Sequence, residues 1–289
     1  MLTARFTRIR SHFARPLCLA VLTASAAMAG CSTPFAHQER LTLTAPSVRS
    51  LVLRNCVGDV IIQADGSATQ VRADVVKSGR GLSAQQADEA LGEIELSMAV
   101  SPDRPDTIVA EGKHPGGDAF RSHSVDWRIT APPGVVIDVT NDVGDIHIKG
   151  FAAGATIRGS VGDIHVRGVS GGLTVQNEVG DVHAQASGTI SIDSGVGDVA
   201  LTVGEGDDEP ITARTEVGDL TVALPAQRKG RLVADSDVGS LHIHLDDTLL
   251  HNTRQRAHHF DAQLAGVSEP TIDLATEVGD LKVRSYRTP

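Results

Sequence analysis

The residues of this sequence that could do chemistry are acids that recur with a short repeated motif. The aspartate of a Val-Gly-Asp triplet occurs seven times. Calcium prefers carboxylate oxygens, so a stacked column of these aspartates, with Asp145, Asp163 and Asp181 at its centre, is one candidate for a divalent-cation site. The alternative is structural, with each aspartate accepting a backbone N–H of its own turn, and we favour it. A second set of acids stands directly before the triplet valine or its equivalent: Asp142, Glu178, Glu216, Asp237 and Glu277.

Histidines form a second repeated set. His147, His165 and His183 each follow a triplet aspartate by two residues, and His242 holds the same place after the variant triplet Val238-Gly239-Ser240. Imidazoles on neighbouring turns could share a zinc or copper ion. We favour an exposed polar stripe without a metal. Residues 246–270 are interpreted as a protruding loop, and they hold a further cluster: His251, His258 and His259.

The sequence has no constellation typical of an enzyme. It lacks a nucleophile paired with a base, a phosphate-binding loop and a carboxylate pair that occurs only once. Polysaccharide lyases and hydrolases can be built on β-helices, but a catalytic pair is needed once, whereas an acid in every turn suits a repeated corner. We therefore expect no catalytic residues and no cofactor, and keep a glycan-active enzyme as the last alternative.

The spacing of the triplets indicates an internal repeat. From Val143 onward the steps are 18, 18, 17, 21, 21 and 40 residues, and we interpret the last step as two turns with one triplet missing. The triplets are Val57-Gly58-Asp59, Val143-Gly144-Asp145, Val161-Gly162-Asp163, Val179-Gly180-Asp181, Val196-Gly197-Asp198, Val217-Gly218-Asp219 and Val278-Gly279-Asp280.

Apolar residues alternate on both sides of each triplet. The positions six and four before the valine, and three and five after it, are aliphatic or alanine in all eight repeats. This pattern is typical of two short strands joined by a corner. Such a unit cannot bury its apolar stripe alone, so the units must stack about 4.8 Å apart. The sequence predicts an all-β fold, a right-handed, single-stranded parallel β-solenoid or β-helix.

Two features of the corner are predicted to be structural. The residue two before the valine is Asn, Ser, Thr or Gly, and its parity directs it inward, where it can satisfy buried backbone groups. The triplet glycine supplies either a positive φ or a close approach of two backbones. The glycines of this structural motif are Gly144, Gly162, Gly180, Gly197, Gly218 and Gly279.

Residues 66–134 interrupt the repeat. A short helix is predicted over 83–91 with Ser83 as its N-cap, and strands are predicted near 70–76, 94–100, 107–111 and 125–130. The terminal coil of a solenoid needs cover against edge-to-edge pairing. We therefore predict N-terminal strands and a capping region at 45–134, followed by the repeat solenoid at 135–285.

The first thirty residues differ from the rest. Four arginines and no acid precede a small and apolar run at 17–29, which is shorter than the roughly 20 residues that span a bilayer. The run closes with Met28-Ala29-Gly30-Cys31, which resembles the lipobox of bacterial lipoproteins. The alternative is ordinary cleavage after Ala27-Met28-Ala29. We predict a cleaved signal peptide at 1–30, lipidation of Cys31 and a tether at 31–44.

Charge and cysteine usage agree with an exported protein. Without the leader the chain has 22 basic and 36 acidic residues, a formal charge of −14, which leaves no electrostatic footprint for nucleic acid. Cys56 is then the sole cysteine besides Cys31, so no intrachain disulfide is expected once Cys31 is acylated. The resemblance to Gram-negative lipoproteins implies the outer membrane, because Ser32 rather than Asp follows the cysteine.

The stretch Asp126-Trp127-Arg128-Ile129-Thr130-Ala131-Pro132-Pro133-Gly134-Val135 leads into the repeated Gly-Asp-Ile/Val coils. It resembles the bacterial putative-adhesin domain family of unknown function, in which a strand ending in Pro-x-Gly enters such a solenoid, often behind a lipoprotein signal. The resemblance covers residues 45–285 and implies the fold rather than a function.

Together these patterns favour a non-catalytic, outer-membrane lipoprotein that faces the periplasm or the cell surface and acts as a scaffold or adhesin-like binding module. Its partners would be the membrane, through the lipid, and an envelope protein or polysaccharide. The alternative from another class is a divalent-cation-binding module that uses the acidic corner or the histidine stripe.

Overall fold

Two twelve-stranded β-sheets, called sheet A and sheet B, form the body of the protein. The structure is a computed structural model that describes residues 7–9, 35–46, 48–113, 122–206, 208–246 and 249–287. Sheet A contains β1 (Thr7–Ile9), β2 (Phe35–Pro46), β4 (Val60–Ala64), β5 (Gln70–Gly81), β8 (Ser122–Ala131), β10 (Ile146–Lys149), β12 (Ile164–Val169), β14 (Val182–Ala186), β16 (Val199–Val203), β18 (Leu220–Pro225), β20 (Leu241–His244) and β24 (Leu281–Tyr286).

Sheet B faces sheet A across the core. It contains β3 (Ser50–Val57), β6 (Glu95–Val100), β7 (Thr107–Lys113), β9 (Val136–Val143), β11 (Ala155–Val161), β13 (Leu173–Val179), β15 (Ile190–Val196), β17 (Ile211–Val217), β19 (Gly230–Val238), β21 (Leu250–Arg256), β22 (His259–Leu264) and β23 (Thr271–Val278). The helix α1 (Ala84–Gly92) follows β5 in the chain.

The repeating unit is a coil, which is one strand of sheet B followed by one strand of sheet A. Neighbouring coils pair in parallel and in register: Leu173 pairs with Ile190 in sheet B, and His165 pairs with His183 in sheet A. Repeated residues therefore form straight columns along the solenoid. The all-β parallel solenoid with one short helix, predicted from the alternation, is confirmed.

The core is a continuous aliphatic column between the sheets. All of the apolar positions that alternate around the triplets are buried except Leu241 and Ile243, which are half-buried on β20 at one end. Trp127 lies near the other end, where it is 1% exposed and its Nε1 donates to Asn55 Oδ1 at 3.2 Å. Val, Ile, Leu and Ala make up most of this interior.

The triplet glycines combine a positive φ with a close approach of two backbones, the two alternatives that the sequence left open. Gly162 has a φ of +141°, and a Cβ added to it would lie 2.3 Å from the carbonyl oxygen of Gly144 in the neighbouring coil. The same approach recurs at Gly180, where the distance to the oxygen of Gly162 is 2.1 Å. No side chain fits in this gap, and the left-handed backbone disfavours one in any case.

The coils at the C-terminal end are stacked out of chain order. β23 lies between β17 and β19, and β24 lies between β18 and β20. The earlier coil, β19–β20, is therefore the end of the solenoid. The interpretation of the 40-residue step as two consecutive turns is wrong, because the intervening chain pairs outside β19 and then returns to fill the place beside β17–β18.

Residues 246–270 are also not a protruding loop. Most of them form the antiparallel hairpin β21–β22, and β22 pairs with the outer edge of β19. A bidentate ion pair holds the hairpin there: Arg231 Nε donates to Asp261 Oδ1 at 2.9 Å and Nη2 to Oδ2 at 2.8 Å. These hydrogen bonds from Arg231 lower the pKa of Asp261 below its ordinary value.

The N-terminal end is closed by the inserted segment. Coil β7–β8 is stacked outside coil β3–β4, so two coils of the solenoid lie within the predicted capping region. The cover itself consists of β5 on the edge of β8 and β6 on the edge of β7. The predicted helix begins one residue later than expected, with Ser83 Oγ accepting the Gln86 N–H at 3.2 Å.

The tether predicted at 31–44 differs from the structure in its second part. Residues 31–34 lie outside the described residues, whereas β2 pairs with β5 over all twelve of its residues. The physical reason is the free edge of β5, whose unpaired N–H and C=O groups are satisfied by a further strand. β1, which falls within the predicted signal peptide, pairs with β2.

We expect Gly162→Ala to lower the free energy of unfolding by about 2–4 kcal/mol, because the new Cβ meets a neighbouring carbonyl oxygen at a positive φ. Gly66→Ala is the matched control, since a Cβ there meets nothing within 4 Å; its change should stay within about 0.5 kcal/mol. Urea denaturation of the purified variants measures both. Equal losses in the two variants would show that the corner imposes no special constraint.

Candidate functional site

The triplet aspartates form a hydrogen-bonded column along the corner. Asp145 Oδ1 accepts the backbone N–H of Asp163 at 2.9 Å, and Asp163 Oδ1 accepts that of Asp181 at 2.9 Å. The same bond joins every neighbouring pair of rungs. In spatial order the rungs are Asp126, Asp59, Asp145, Asp163, Asp181, Asp198, Asp219 and Asp280, and the last bond runs to the N–H of Ser240.

This geometry corrects the prediction that each aspartate accepts an N–H of its own turn. In-register stacking presents each carboxylate with the equivalent N–H of the next coil, so the bond joins coils rather than closing a turn. Asp163 is thus hydrogen-bonded to the coil on each side of its own. Lys282 approaches the column at one end, with its Nζ 3.5 Å from Asp219 Oδ2 and 3.9 Å from Asp280 Oδ2.

The aspartate column was also a candidate for a divalent cation. Within the part of the chain that the structure describes, no group of three or more His, Cys, Asp or Glu side chains is arranged to hold a metal ion. One oxygen of each carboxylate is already used by the neighbouring coil. The hydrogen-bonded ladder therefore accounts for Asp145, Asp163 and Asp181 without a metal.

A second column lies inside the corner, two residues before each triplet valine. Asn141 is 1% exposed, and its Nδ2 donates to the carbonyl oxygens of Gly58 and Gly144, both at 3.0 Å. Thr215 donates through Oγ1 to Gly197 O at 3.2 Å in the same way. Asn141 and Thr215 thus donate to glycine carbonyls inside the corner, as the parity of the sequence predicts, whereas Ser194 Oγ in the same column is buried without a hydrogen-bond partner among the described residues.

The triplet valines form an exposed apolar ridge, which the sequence analysis missed. They are between 44% and 63% exposed in seven coils. The pairing of β11 with β13 explains why, because it skips the residue before the valine and so breaks the alternation at the corner. The ridge runs between the two sets of acids; its members are Val143, Val161, Val179, Val196, Val217, Val278 and Val238.

The histidine stripe lies on the outer face of sheet A. The ring centroids of His147 and His165 are 4.8 Å apart, and those of His165 and His183 are 5.1 Å apart. The rings are inclined to one another by 67° and 51°. A zinc ion needs four tetrahedral ligands in a structural site, and no carboxylate or cysteine of the described residues completes such a set with these imidazoles.

A shallow depression of about 580 Å³ follows the histidine stripe. Lys149 and Arg167 line it in the next column, and Gln63 and Gln185 continue that column on the neighbouring strands. Backbone atoms and aliphatic side chains form its floor. The lining contains basic, amide, hydroxyl and imidazole groups but no acid.

The outer face of sheet B carries charges of both signs that pair with one another. Arg158 lies 3.2 Å from Asp138, and Arg214 lies 2.7 Å from Asp273, each across neighbouring coils. Such cross-strand pairs neutralise the face locally. The two outer faces of the solenoid are therefore electrostatically different.

The remaining predicted site residues are not brought together. His251 and His258 lie on the exposed hairpin, whereas His259 Nδ1 contacts Asp235 Oδ1 at 2.5 Å on β19.

Cys56 is half-buried. Its burial, and to a smaller extent the charge of Asp142, raises the pKa of its thiol, which disfavours a reactive thiolate. Cys31 lies outside the described residues. Among the described helices, none is long and apolar enough to cross a membrane.

Comparison with known proteins places the chain in a family. The family described as Toastrack DUF4097 matches residues 41–284, so the chain belongs to this family. Its repeated Gly-Asp coils are the expected putative-adhesin pattern, and that recognition is confirmed. No curated protein matches the sequence.

Two solved structures are distantly similar to this chain. A putative adhesin from Bacteroides fragilis is 17% identical, covers 87% of this chain and 97% of its own, and has a TM-score of 0.39. A putative cell adhesion protein from Clostridium sporogenes is 12% identical, covers 88% and 100%, and has a TM-score of 0.35. These likenesses are distant, and nothing about function follows from them.

We expect Asp163→Ala to lower the free energy of unfolding by about 1 kcal/mol, because the Asp181 N–H loses its acceptor. Asp163→Asn keeps an oxygen acceptor and removes one charge from the column, so its stability should equal or exceed that of the wild type. Thermal denaturation with and without calcium or zinc measures this. If the metal raises the wild-type Tm and the asparagine variant loses that rise, the column is a cation site and the structural interpretation fails.

Proposed function

We propose that this chain is a non-catalytic lipoprotein of the cell envelope, a scaffold or binding module that presents the outer faces of its solenoid to an envelope protein or polysaccharide. The observation that carries the proposal is the regularity of those faces. Within the paired strands of neighbouring coils, equivalent outward side chains form straight columns. A catalytic site needs a cluster that occurs once, whereas a long periodic surface suits an extended partner.

The bonds that join each coil to its neighbours support the same function. Each coil is fixed to its neighbours by backbone pairing, by the aspartate column and by the buried polar column. A surface that is ordered before binding loses little conformational entropy when a partner docks. Side chains held at a fixed spacing can then contact successive units of a long ligand.

The position of the predicted anchor supports an envelope location. Cys31 precedes β2 by four residues, and β2 pairs with β5, which covers the N-terminal end of the solenoid. A lipid on Cys31 would hold that end at the membrane and leave both outer faces and the hairpin end accessible. Cleavage before Cys31 would also remove β1, so that β2 becomes the last strand of sheet A.

Lipidation is expected to be visible in the protein isolated from its native membrane. The wild-type chain should carry acyl mass on Cys31 and partition into detergent, whereas Cys31→Ala should remain in the aqueous phase, because one or more acyl chains supply the membrane affinity. Intact-mass spectrometry and detergent partitioning measure this. A mature chain that begins at Gly30 without lipid would refute the anchor while leaving the binding module open.

Binding without turnover is expected on isolated envelope material. The exported Cys31→Ala protein should be retained in a saturable manner by at least one fraction among outer membrane, peptidoglycan and surface polysaccharide. Co-sedimentation measures retention, and chromatography of the polymer before and after incubation measures turnover. Release of shortened polymer would establish an enzyme, and absence of retention on every fraction would refute the binding module.

A further inference from the structure

The outer face of sheet A carries basic side chains in two neighbouring columns. Two neighbouring columns, one beginning at Arg128 and one at Thr130, run across nine strands from β8 to β20. Neither column contains an acid. In spatial order the first is Arg128, Ile61, His147, His165, His183, Ala200, Thr221, Lys282 and His242, and the second is Thr130, Gln63, Lys149, Arg167, Gln185, Thr202, Ala223, Arg284 and His244.

The two cations in the central part of this face are not paired with acidic side chains of the described residues. No salt bridge of the described residues engages Lys149 or Arg167, in contrast to Arg158 and Arg214 on sheet B. Both cations line the depression of about 580 Å³ together with the three histidines, and no carboxylate lines it. The nearest acids along these strands are the triplet aspartates at the corner, each of which already accepts a hydrogen bond.

The chemistry of the lining decides what kind of ligand fits. A lining without Phe, Tyr or Trp offers no stacking platform for single-stranded nucleic acid. It also lacks the buried aromatic anchors that form the centre of most protein interfaces. Arg167 can bind a carboxylate through two parallel hydrogen bonds, and the amides and imidazoles can exchange hydrogen bonds with hydroxyl groups.

The periodicity of the lining indicates the shape of the ligand. Equivalent groups recur once per strand, about 4.8 Å apart, in a straight line. Beside this line, on the side of the histidine column, lies the acidic corner, which repels an anionic chain on that side. A compact ligand would contact the groups of one strand, whereas a linear polymer can contact those of several strands.

We propose that the two central columns of sheet A, from Gln63 to Gln185, bind a linear acidic polysaccharide, with Lys149 and Arg167 contacting its carboxylates. His147, His165 and His183 contact its hydroxyl groups from the neighbouring column. This site rests on the proposed binding function and names its ligand class. Because the whole protein is acidic, the attraction is local and decreases with ionic strength.

The test uses the exported Cys31→Ala protein and two linear uronic-acid polymers, polygalacturonate and alginate, as probes. Calorimetry is expected to detect binding of at least one of them, and methyl-esterified polygalacturonate, which has the same backbone without the charge, is expected not to bind. Lys149→Gln combined with Arg167→Gln should weaken the affinity by about tenfold or more. A triple variant with His147→Gln, His165→Gln and His183→Gln should also bind the polymer more weakly.

The matched control is Arg158→Gln combined with Arg214→Gln, which removes two positive charges from sheet B instead. This control should change the affinity by less than about twofold, and the Tm of each variant shows that the fold is retained. If the two double variants weaken the affinity equally, net charge explains the effect and the proposed site is wrong. Equally tight binding of single-stranded DNA would overturn the assignment to a glycan.

The proposal and the wider function can fail separately. If neither uronic-acid polymer binds while the protein is still retained on an envelope fraction, the acidic-glycan site is wrong and the binding module stands. If retention on every envelope fraction is also absent, the proposed function fails with it.

Discussion

At each Val-Gly-Asp corner a carbonyl oxygen of the neighbouring coil lies 2.1–2.3 Å from the place where a glycine Cβ would be. This close contact of backbones sets the register of every coil, because a shift by one residue would bring a side chain into the gap. In-register stacking then places equivalent residues of neighbouring coils beside one another. The aliphatic column, the buried polar column, the aspartate column and the histidine stripe all follow from it.

Stacking like residues has an electrostatic cost that the protein meets in different ways on its surfaces. At the corner, each carboxylate accepts the N–H of the next coil, so a column of like charges is held by backbone dipoles. On sheet B, opposite charges on neighbouring coils pair with one another. On sheet A, two neighbouring columns contain no acid from β8 to β20, so Lys149 and Arg167 are not offset by acids within their own columns.

The ends of the stack follow a different rule, because an open sheet edge invites pairing with another chain. The N-terminal end is covered by antiparallel strands and α1, and the C-terminal end by the hairpin β21–β22. At both ends a coil is also stacked out of chain order. The inserted segments thus serve as covers and as the connections that make this reordering possible.

The sequence by itself determined the repeat, the two strands of each coil, the inward positions and the short helix beginning near Ser83, because these depend on local alternation and on residues that tolerate a special backbone. It also identified Asn141 and its equivalents as inward and structural. Only the tertiary structure decided the order of the coils, the partner of each triplet aspartate and the outward position of Val161 and the other triplet valines. Those depend on which chain segments become neighbours, and a periodic sequence offers the same pairing surface to several of them.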